Sequence, residues 1–232
     1  MSKQIKGLLY YFITEIKYSL IIFWSTLLVF LLLSLGVSYI MRDLDNFVLW
    51  FGFPFATFIH AGIMGFSFVK NSIPFALKRG AIRKNIYIAS GIYFFLYALF
   101  MATISSTLQS LMTAMTKNLH SISFLHPAML IGNDTWYSRI FIDTLIIFAI
   151  TVVLFFLGLL FYRGGLIVGG SAIGLIAFII IFGGAEGFLI KFIMDLHHNI
   201  DLLFFVKVFC VGLVIYGLTY FLVRKITTVK AV

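Results

Sequence analysis

The sequence predicts an all-α membrane protein that crosses the bilayer with six helices and keeps both termini in the cytoplasm. Of its 232 residues, 62% are hydrophobic and 11% are charged, whereas soluble domains carry about 25% charged residues. The apolar residues form runs of roughly 20 or more, which is the length a helix needs to cross a bilayer. The basic residues collect in alternate loops. The whole chain, 1–232, is therefore predicted to form a single transmembrane domain.

Six apolar runs are predicted to cross the membrane. They lie at about 18–41, 47–69, 87–115, 140–161, 166–183 and 203–223, each near the length of a spanning helix. Pro54 is predicted to begin or kink the second helix, because proline lacks the amide that a helix interior uses. A tight turn is predicted at 163–165. Gly169, Gly170 and Gly174 predict close helix packing in the fifth run.

Two further helical segments are predicted not to span. In residues 3–17, Ile5, Leu8, Phe12 and Ile16 recur at helical spacing between basic residues, a pattern typical of an amphipathic helix at the headgroup level. Residues 183–201 contain an apolar part that is too short to cross. They are predicted to form an external re-entrant segment, broken from the fifth helix at 183–184.

The distribution of charge predicts the orientation. Cytoplasmic loops of membrane proteins carry an excess of Lys and Arg. Of the 8 acids, only Glu15 falls in a segment assigned to the cytoplasm. Twelve of the 17 basic residues fall in those segments: Lys3, Lys6, Lys17, Lys70, Lys78, Arg79, Arg83, Lys84, Arg163, Arg224, Lys225 and Lys230. Because basic residues of both terminal segments are counted as cytoplasmic, this excess requires an even number of crossings.

Several function classes are disfavoured by what the sequence lacks. No G-x-x-x-x-G-K-[ST] motif is present, so the chain is not predicted to bind ATP through a P-loop. The net charge of +9 is spread between apolar runs, which argues against a nucleic-acid partner. Ser171 and His197 or His198 match no protease motif, and the histidines match no metal-site spacing. We therefore predict no catalytic residue, no metal ligand and no cofactor bound by this chain.

Polar residues inside the spans predict a translocation path. The second half of the third span is rich in hydroxyl and amide side chains, and His60 lies in the second span. Polar groups at membrane depth often line a pathway. The alternatives are that the hydroxyls bond to carbonyls four residues earlier and that His60 bonds to a neighbouring helix. The predicted path, with Glu186 of the external segment included, comprises His60, Thr103, Ser106, Gln109, Ser110 and Glu186.

Residues 70–86 form a basic segment between the second and third spans. Ser72 and Pro74 are typical of a helix start and Gly80 of a helix end, so a short separate helix is predicted within this cytoplasmic loop. It is either a positive-inside anchor or a docking site for a cytoplasmic partner. The predicted docking residues are Pro74, Phe75, Leu77, Lys78, Arg79, Gly80, Arg83 and Lys84.

The stretch SIPFALKRGAIRKNIYIASG resembles the coupling region of permease subunits of ABC-2 type (type V) ABC transporters, in which a basic residue follows a small-residue turn and leads into the third span. Those permeases also have six spans, cytoplasmic termini, an amphipathic connecting helix before the first span and an external re-entrant pair before the last. The positions 3–17, 70–86 and 183–201 are similar to these features. Among family members, the chain is most similar to small Gram-positive bacterial permeases that export amphipathic or antimicrobial peptides.

The resemblance implies the partners and the location. Two permease subunits, identical or different, would pair in a bacterial cell membrane in contact with lipid. Separate cytoplasmic ABC ATPase subunits would bind ATP and Mg²⁺ and would dock on the coupling residues. The substrate would be apolar or amphipathic. Two alternatives remain open at this point: a small-molecule-binding subunit of a vitamin-type importer, and a non-transporting membrane regulator or immunity protein.

Overall fold

The computed structural model describes residues 2–40, 49–116, 122–132, 134–187, 191 and 200–226. Two three-residue strands form a parallel pair, β1 (Leu49–Phe51) and β2 (Ile122–Phe124), and a 3-10 helix covers Pro127–Ile131. The long helices of this described part are α1 (Lys3–Ile40), α2 (Phe53–Lys78), α3 (Arg83–Met115), α4 (Trp136–Ala185) and α5 (Leu202–Val223).

All five long helices have the length and composition of membrane-spanning helices. Their best windows have mean hydropathies between 1.2 and 2.9, with α4 the most apolar. Pro54 lies in the first turn of α2, where its missing amide costs nothing, so the prediction that it begins this helix is confirmed. The chain is an all-α, multi-pass membrane protein.

The first helix is longer than predicted. Residues 3–17 and the first predicted span form one continuous helix, Lys3–Ile40, rather than an amphipathic helix followed by a separate span. Polar side chains at 14–17 do not interrupt it, because neither proline nor glycine is present there to break the backbone hydrogen bonds. The apolar stripe Ile5, Leu8, Phe12 and Ile16 is buried in the bundle core instead of facing lipid headgroups.

The basic segment 70–86 also differs from its prediction. Helix α2 runs through Pro74 to Lys78, and α3 begins at Arg83, so only residues 79–82 form a turn. The helix ends beside Gly80, as predicted, and that residue has a φ of 74°. Proline removes one helical hydrogen bond. Burial of its neighbours Ile73 and Ala76 in the core favours the continuous helix.

Helix α4 is interrupted at Gly165, which has non-helical torsions of φ 65° and ψ −162°. Its 50 residues would extend about 75 Å if straight, far more than the roughly 30 Å of one hydrocarbon core. The part before Gly165 is largely buried, whereas residues 166–184 are largely exposed, with Ile167 84% exposed.

The predicted close packing of the fifth run is found at one of its three glycines. Gly169 lies against the ring of Phe161, whereas Gly170 and Gly174 have no neighbouring side chain within 4 Å among the described residues. The helix continues beyond the predicted break at 183–184 to Ala185. Most of the predicted re-entrant segment 183–201, including His197 and His198, lies outside the described residues.

The first part of α4 is the centre of the bundle, and its contacts define the directions of three neighbours. Helix α3 runs antiparallel to it, because Phe94 packs on Phe155 (ring centroids 5.0 Å) while Ser110 lies beside Arg139. Helices α2 and α5 run parallel to it. Gly62 lies against Leu154 and Phe66 against Phe161, and in α5 Phe209 packs on Phe148 and Tyr216 on Phe155.

These directions give the bundle two distinct ends. Helix α1 is antiparallel to α2, since Phe23 contacts His60 and Tyr11 stacks on Phe75. The starts of α1 and α3 and the ends of α2 and α5 therefore lie together at one end, near Gly165. We call this the basic end, because it carries Lys3, Lys6, Lys78, Arg79, Arg83, Lys84, Arg163, Arg224 and Lys225.

Candidate functional site

The turn between α2 and α3 is the most exposed part of the predicted docking segment. Lys78, Arg79, Gly80 and Lys84 are all exposed. The chain reverses through hydrogen bonds from the Gly80 amide to Leu77 O (2.9 Å) and from the Ala81 amide to Ala76 O (3.0 Å). The positive φ of Gly80 is the left-handed conformation that favours glycine at the end of a helix. The turn therefore presents several cations on a defined backbone.

Aromatic stacking joins the end of α2 to the start of α1. The Arg79 guanidinium lies 5.2 Å from the centroid of the Phe75 ring. Phe75 in turn stacks on Tyr11 of α1, with centroids 4.2 Å apart and planes 13° apart. Pro74 and Leu77, on either side of Phe75 near the end of α2, are half-buried. Of the predicted docking residues, Pro74, Phe75 and Leu77 thus serve chiefly to attach the exposed turn to the bundle.

Two other segments hold the turn in place, and the sequence did not predict either contact. The Gln4 side chain donates to Gly80 O (3.4 Å) and accepts from the Ile82 amide (3.4 Å) and from the Asn85 side chain. Arg83 donates through Nε to Ile226 O at 2.9 Å, just beyond the end of α5. Arg83 therefore has a structural partner, whereas Lys78 and Lys84 form no hydrogen bond or ion pair with the residues that the structure describes.

A groove of about 780 Å³ lies beside the turn at the basic end. One wall consists of residues 80–84 with Leu77, and the other consists of Tyr220 and Arg224 from the end of α5. Of the docking residues, Leu77, Gly80, Arg83 and Lys84 line this groove. The structure thus brings the end of α5 into the predicted docking surface, a neighbour 140 residues distant in sequence that spacing could not reveal.

The predicted translocation path is divided between two places. His60 joins three helices, with Nε2 3.1 Å from the Ser19 hydroxyl and Nδ1 2.7 Å from the Tyr97 hydroxyl. This is the alternative in which His60 bonds to neighbouring helices. Gln109 lies twelve residues beyond Tyr97 on α3, about 18 Å along the helix axis. His60 therefore belongs to a different level of the bundle from Gln109.

The hydroxyl groups in the polar half of α3 differ in their hydrogen bonding. Thr103 bonds back to Leu99 O at 2.7 Å, which is the local alternative. Ser106 and Gln109 are fully buried, yet within the described part of the chain their side-chain polar atoms have no hydrogen-bond partner. Ser110 receives a 3.5 Å contact from Arg139 of α4. Glu186 is exposed at the end of α4, and no described contact joins it to these residues.

A buried acid lies beside this polar half, near the predicted start of the fourth span. Asp143 of α4 is fully buried, with Oδ2 3.2 Å from Nε2 of His126. The amide of Ala128 donates to Nδ1 of His126, so Nε2 carries the proton and donates to Asp143. Because α3 and α4 are antiparallel with Ser110 beside Arg139, Asp143 lies four residues along at the level of Ser106.

A second acid, Glu15, lines a cleft of about 230 Å³ between α1, α2 and α3. Its carboxylate accepts a 2.6 Å bond from Ser72. The only signal in the sequence was that Glu15 is the one acid in the segments assigned to the cytoplasm. Its surroundings depend on residues of α2 and α3 that are remote in sequence.

No protein-family model matches this chain, and no curated protein or solved structure is significantly similar to it. The evidence for a function therefore lies in the two ends of the bundle and in the polar groups inside it.

Proposed function

We propose that this chain is the six-span permease subunit of an ABC-2 type ABC transporter, and that it exports an apolar or amphipathic substrate. Separate ATPase subunits supply the energy by docking on the α2–α3 turn of the basic end. The observation that carries the proposal is the exposed basic α2–α3 turn, because it is attached to the start of α1 and the end of α5. The proposal rests on this geometry together with the resemblance of residues 72–91.

Six crossings are favoured by the helix directions. The first part of α4 and helix α5 run parallel, so the chain has to return across the bundle between them. Residues 166–184 are the apolar segment available for this return, and at 1.5 Å per residue they extend about 28 Å. Gly165 supplies the non-helical torsion where the return begins. An even number of crossings then places both termini on the same side of the membrane.

The charges favour a cytoplasmic location for the basic end. Among the described residues, the nine basic residues that define it are accompanied there by a single acid, Glu15. At the opposite end, Asp134, Asp143 and Asp201 lie at the starts of α4 and α5. The positive-inside rule thus assigns the α2–α3 turn to the cytoplasm, where an ATPase subunit can reach it.

The contacts of the turn suggest how ATP hydrolysis would move the spans. A force applied to residues 79–82 would reach α1 through Gln4 and the Tyr11–Phe75 stack, and α5 through Arg83. The spans would then move as packed units rather than bending at a loose loop. ATP and Mg²⁺ bind to the ATPase subunits in this scheme, and the permease contributes position and not chemistry.

The resemblance also implies a second permease subunit, identical or different. The exposed segment 166–184 is the surface we assign to this contact. Gly170 and Gly174 have no side chain against them among the described residues, and small residues allow helices from two subunits to approach closely. Lipid would cover the remaining apolar surface of the pair.

Charge reversal on the turn tests the proposal. Lys78 and Lys84 are exposed and extend from the turn, so Lys78→Glu with Lys84→Glu should prevent ATPase docking while leaving the bundle folded. Lys3→Glu with Lys6→Glu is the matched control, since it reverses two exposed charges at the same end but outside the turn. The measurement is affinity purification from native membranes, followed by identification of the retained proteins and assay of Mg²⁺-dependent ATP hydrolysis.

We expect the wild type and the control to retain an ABC ATPase, and the turn variant to lose most of it and of the hydrolysis. Equal retention by the turn variant would contradict the docking assignment. Contact with an ATPase only through another membrane scaffold would favour the vitamin-type importer. A folded chain that retains no ATPase from its own membranes would favour the regulator or immunity protein.

A further inference from the structure

The cleft that contains Glu15 opens on the outer surface of the bundle between α1 and α2. Its floor consists of aromatic side chains that are almost completely buried: Phe12, Phe68 and Tyr93. Its rim includes Ile63, which is 60% exposed, and the exposed side chain of Ser19. The enclosed volume of about 230 Å³ is large enough for a group of roughly ten non-hydrogen atoms.

The carboxylate in this cleft has no cationic partner among the residues that the structure describes. Glu15 is half-buried, and the group that donates to it, the Ser72 hydroxyl, is neutral. Among the described residues, no Lys or Arg forms an ion pair with Glu15. A partly desolvated carboxylate attracts a cation more strongly than an exposed one does, because the surrounding dielectric is lower.

We propose that this cleft binds an organic ammonium ion, and that the physiological ligand is an amphiphile with a cationic head group. The carboxylate of Glu15 would pair with the ammonium, and the faces of Phe12, Phe68 and Tyr93 would attract it through cation–π contacts. Asn71 and Ser67 offer polar atoms for a bound N–H group. The apolar part of the bound ligand would extend out of the cleft through its lateral opening, beside Ile63.

This inference goes beyond the proposed function, because it concerns binding by the purified chain without any ATPase. Its failure would leave the docking of ATPase subunits untouched, and failure of the docking would leave the cleft intact. It also gives Glu15 a role that the fold does not require, since a glutamine would accept the same hydrogen bond from Ser72.

Binding of benzyltrimethylammonium to the full chain in detergent tests the inference by isothermal titration calorimetry. This water-soluble ion fits the volume of the cleft and carries both a quaternary ammonium and an aromatic ring. Phenylmethanesulfonate, of similar size and opposite charge, is the ligand control. The variants are Glu15→Gln, which removes the charge and keeps the acceptor, and Ser67→Phe, which fills the cleft and keeps the charge. Asp201→Asn is the matched control, because it removes one exposed acid and retains a good helix cap.

We expect saturable binding of the cation to the wild type and to Asp201→Asn, weakened by about tenfold or more in Glu15→Gln and lost in Ser67→Phe. The sulfonate should bind to none of them. Elution of every variant as a single monodisperse species separates loss of binding from loss of fold. The inference is overturned if the wild type does not bind the cation, if Glu15→Gln binds it equally well, or if sodium ions alone give the same Glu15-dependent heat.

Discussion

At the scale of single residues, the pair formed by His126 and Asp143 should contribute strongly to stability. Asp143→Ala would leave the Nε2–H of His126 buried without an acceptor, which typically costs about 1–3 kcal/mol. Asp143→Asn keeps an acceptor oxygen and should cost less. The measurement is the free energy or midpoint of thermal unfolding in detergent, followed by intrinsic fluorescence.

Thr103→Val is the control for this prediction. It removes a hydroxyl whose only recorded bond is to Leu99 O within its own helix, so the change in stability should be small. A destabilisation by Asp143→Ala no greater than that of Thr103→Val would show that the buried pair is unimportant.

Residue patterns in the sequence were informative where the partner lies nearby in the chain, and uninformative where it does not. The back-bonding of Thr103 follows from helical spacing, and the bonding of His60 to neighbouring helices was one of two alternatives considered. Asp143 lies near the predicted start of the fourth span, where hydropathy gives no sign of a buried position. The burial of Asp143 depends on His126, which reaches it from the 3-10 region through the tertiary fold.

At the scale of helices, the contact between α2 and α4 depends on glycine. A Cβ at Gly65 would overlap the carbonyl oxygen of Thr151, and a backbone atom cannot move aside as a side chain does. Gly65→Ala should therefore separate the two helices locally and lower the free energy of unfolding by about 1–3 kcal/mol. Thermal unfolding of the purified protein measures this effect.

Gly36→Ala provides the matched control on another span. Gly36 also lies inside a long helix, but it has no neighbour within 4 Å. Alanine is the better helix former by about 1 kcal/mol, so this variant should be as stable as the wild type or more stable. Equal behaviour of the two variants would mean that α2 and α4 do not pack as closely as the structure indicates.

The positions of the helices were predicted better than their ends and contacts. Hydropathy located the apolar runs, since each spanning helix must match the thickness of the same bilayer. It could not show that residues 3–17 continue into α1, because helix continuity depends on backbone hydrogen bonds rather than on polarity. The glycine content of the fifth run favoured Gly169, Gly170 and Gly174 as packing sites. Instead, Gly62, Gly65 and Gly158 make contacts between α2 and α4. Glycines in a sequence do not reveal which of them face another helix.

At the scale of the whole molecule, composition alone predicted the all-α membrane class, because a chain with so few charges cannot cover its apolar surface in water. The arrangement around α4 could not be predicted in this way. It follows from specific contacts, such as Phe94 on Phe155 and Tyr216 on Phe155, between helices that all have similar hydropathy. The same arrangement leads to the proposed number of crossings, which can be tested directly.

Single cysteines should react according to six crossings and cytoplasmic termini. Cys210 is the only native cysteine and is replaced by alanine first. In intact cells, a membrane-impermeant maleimide should label Tyr137→Cys and Leu202→Cys, at the starts of α4 and α5. It should label Ile82→Cys and Lys225→Cys, at the basic end, only after the membrane is permeabilised. The native side chains at all four positions are exposed.

The positions on α5 decide between six crossings and five. If residues 136–185 crossed the membrane only once, α5 would start in the cytoplasm and end outside. Leu202→Cys would then be protected in intact cells and Lys225→Cys would be labelled. That result would also conflict with the parallel packing of α5 on α4, since Phe209 on Phe148 and Tyr216 on Phe155 require both helices to run in the same direction. Labelling of Leu202→Cys with protection of Lys225→Cys would instead require residues 166–184 to cross, and would place the α2–α3 turn on the side where ATP is available.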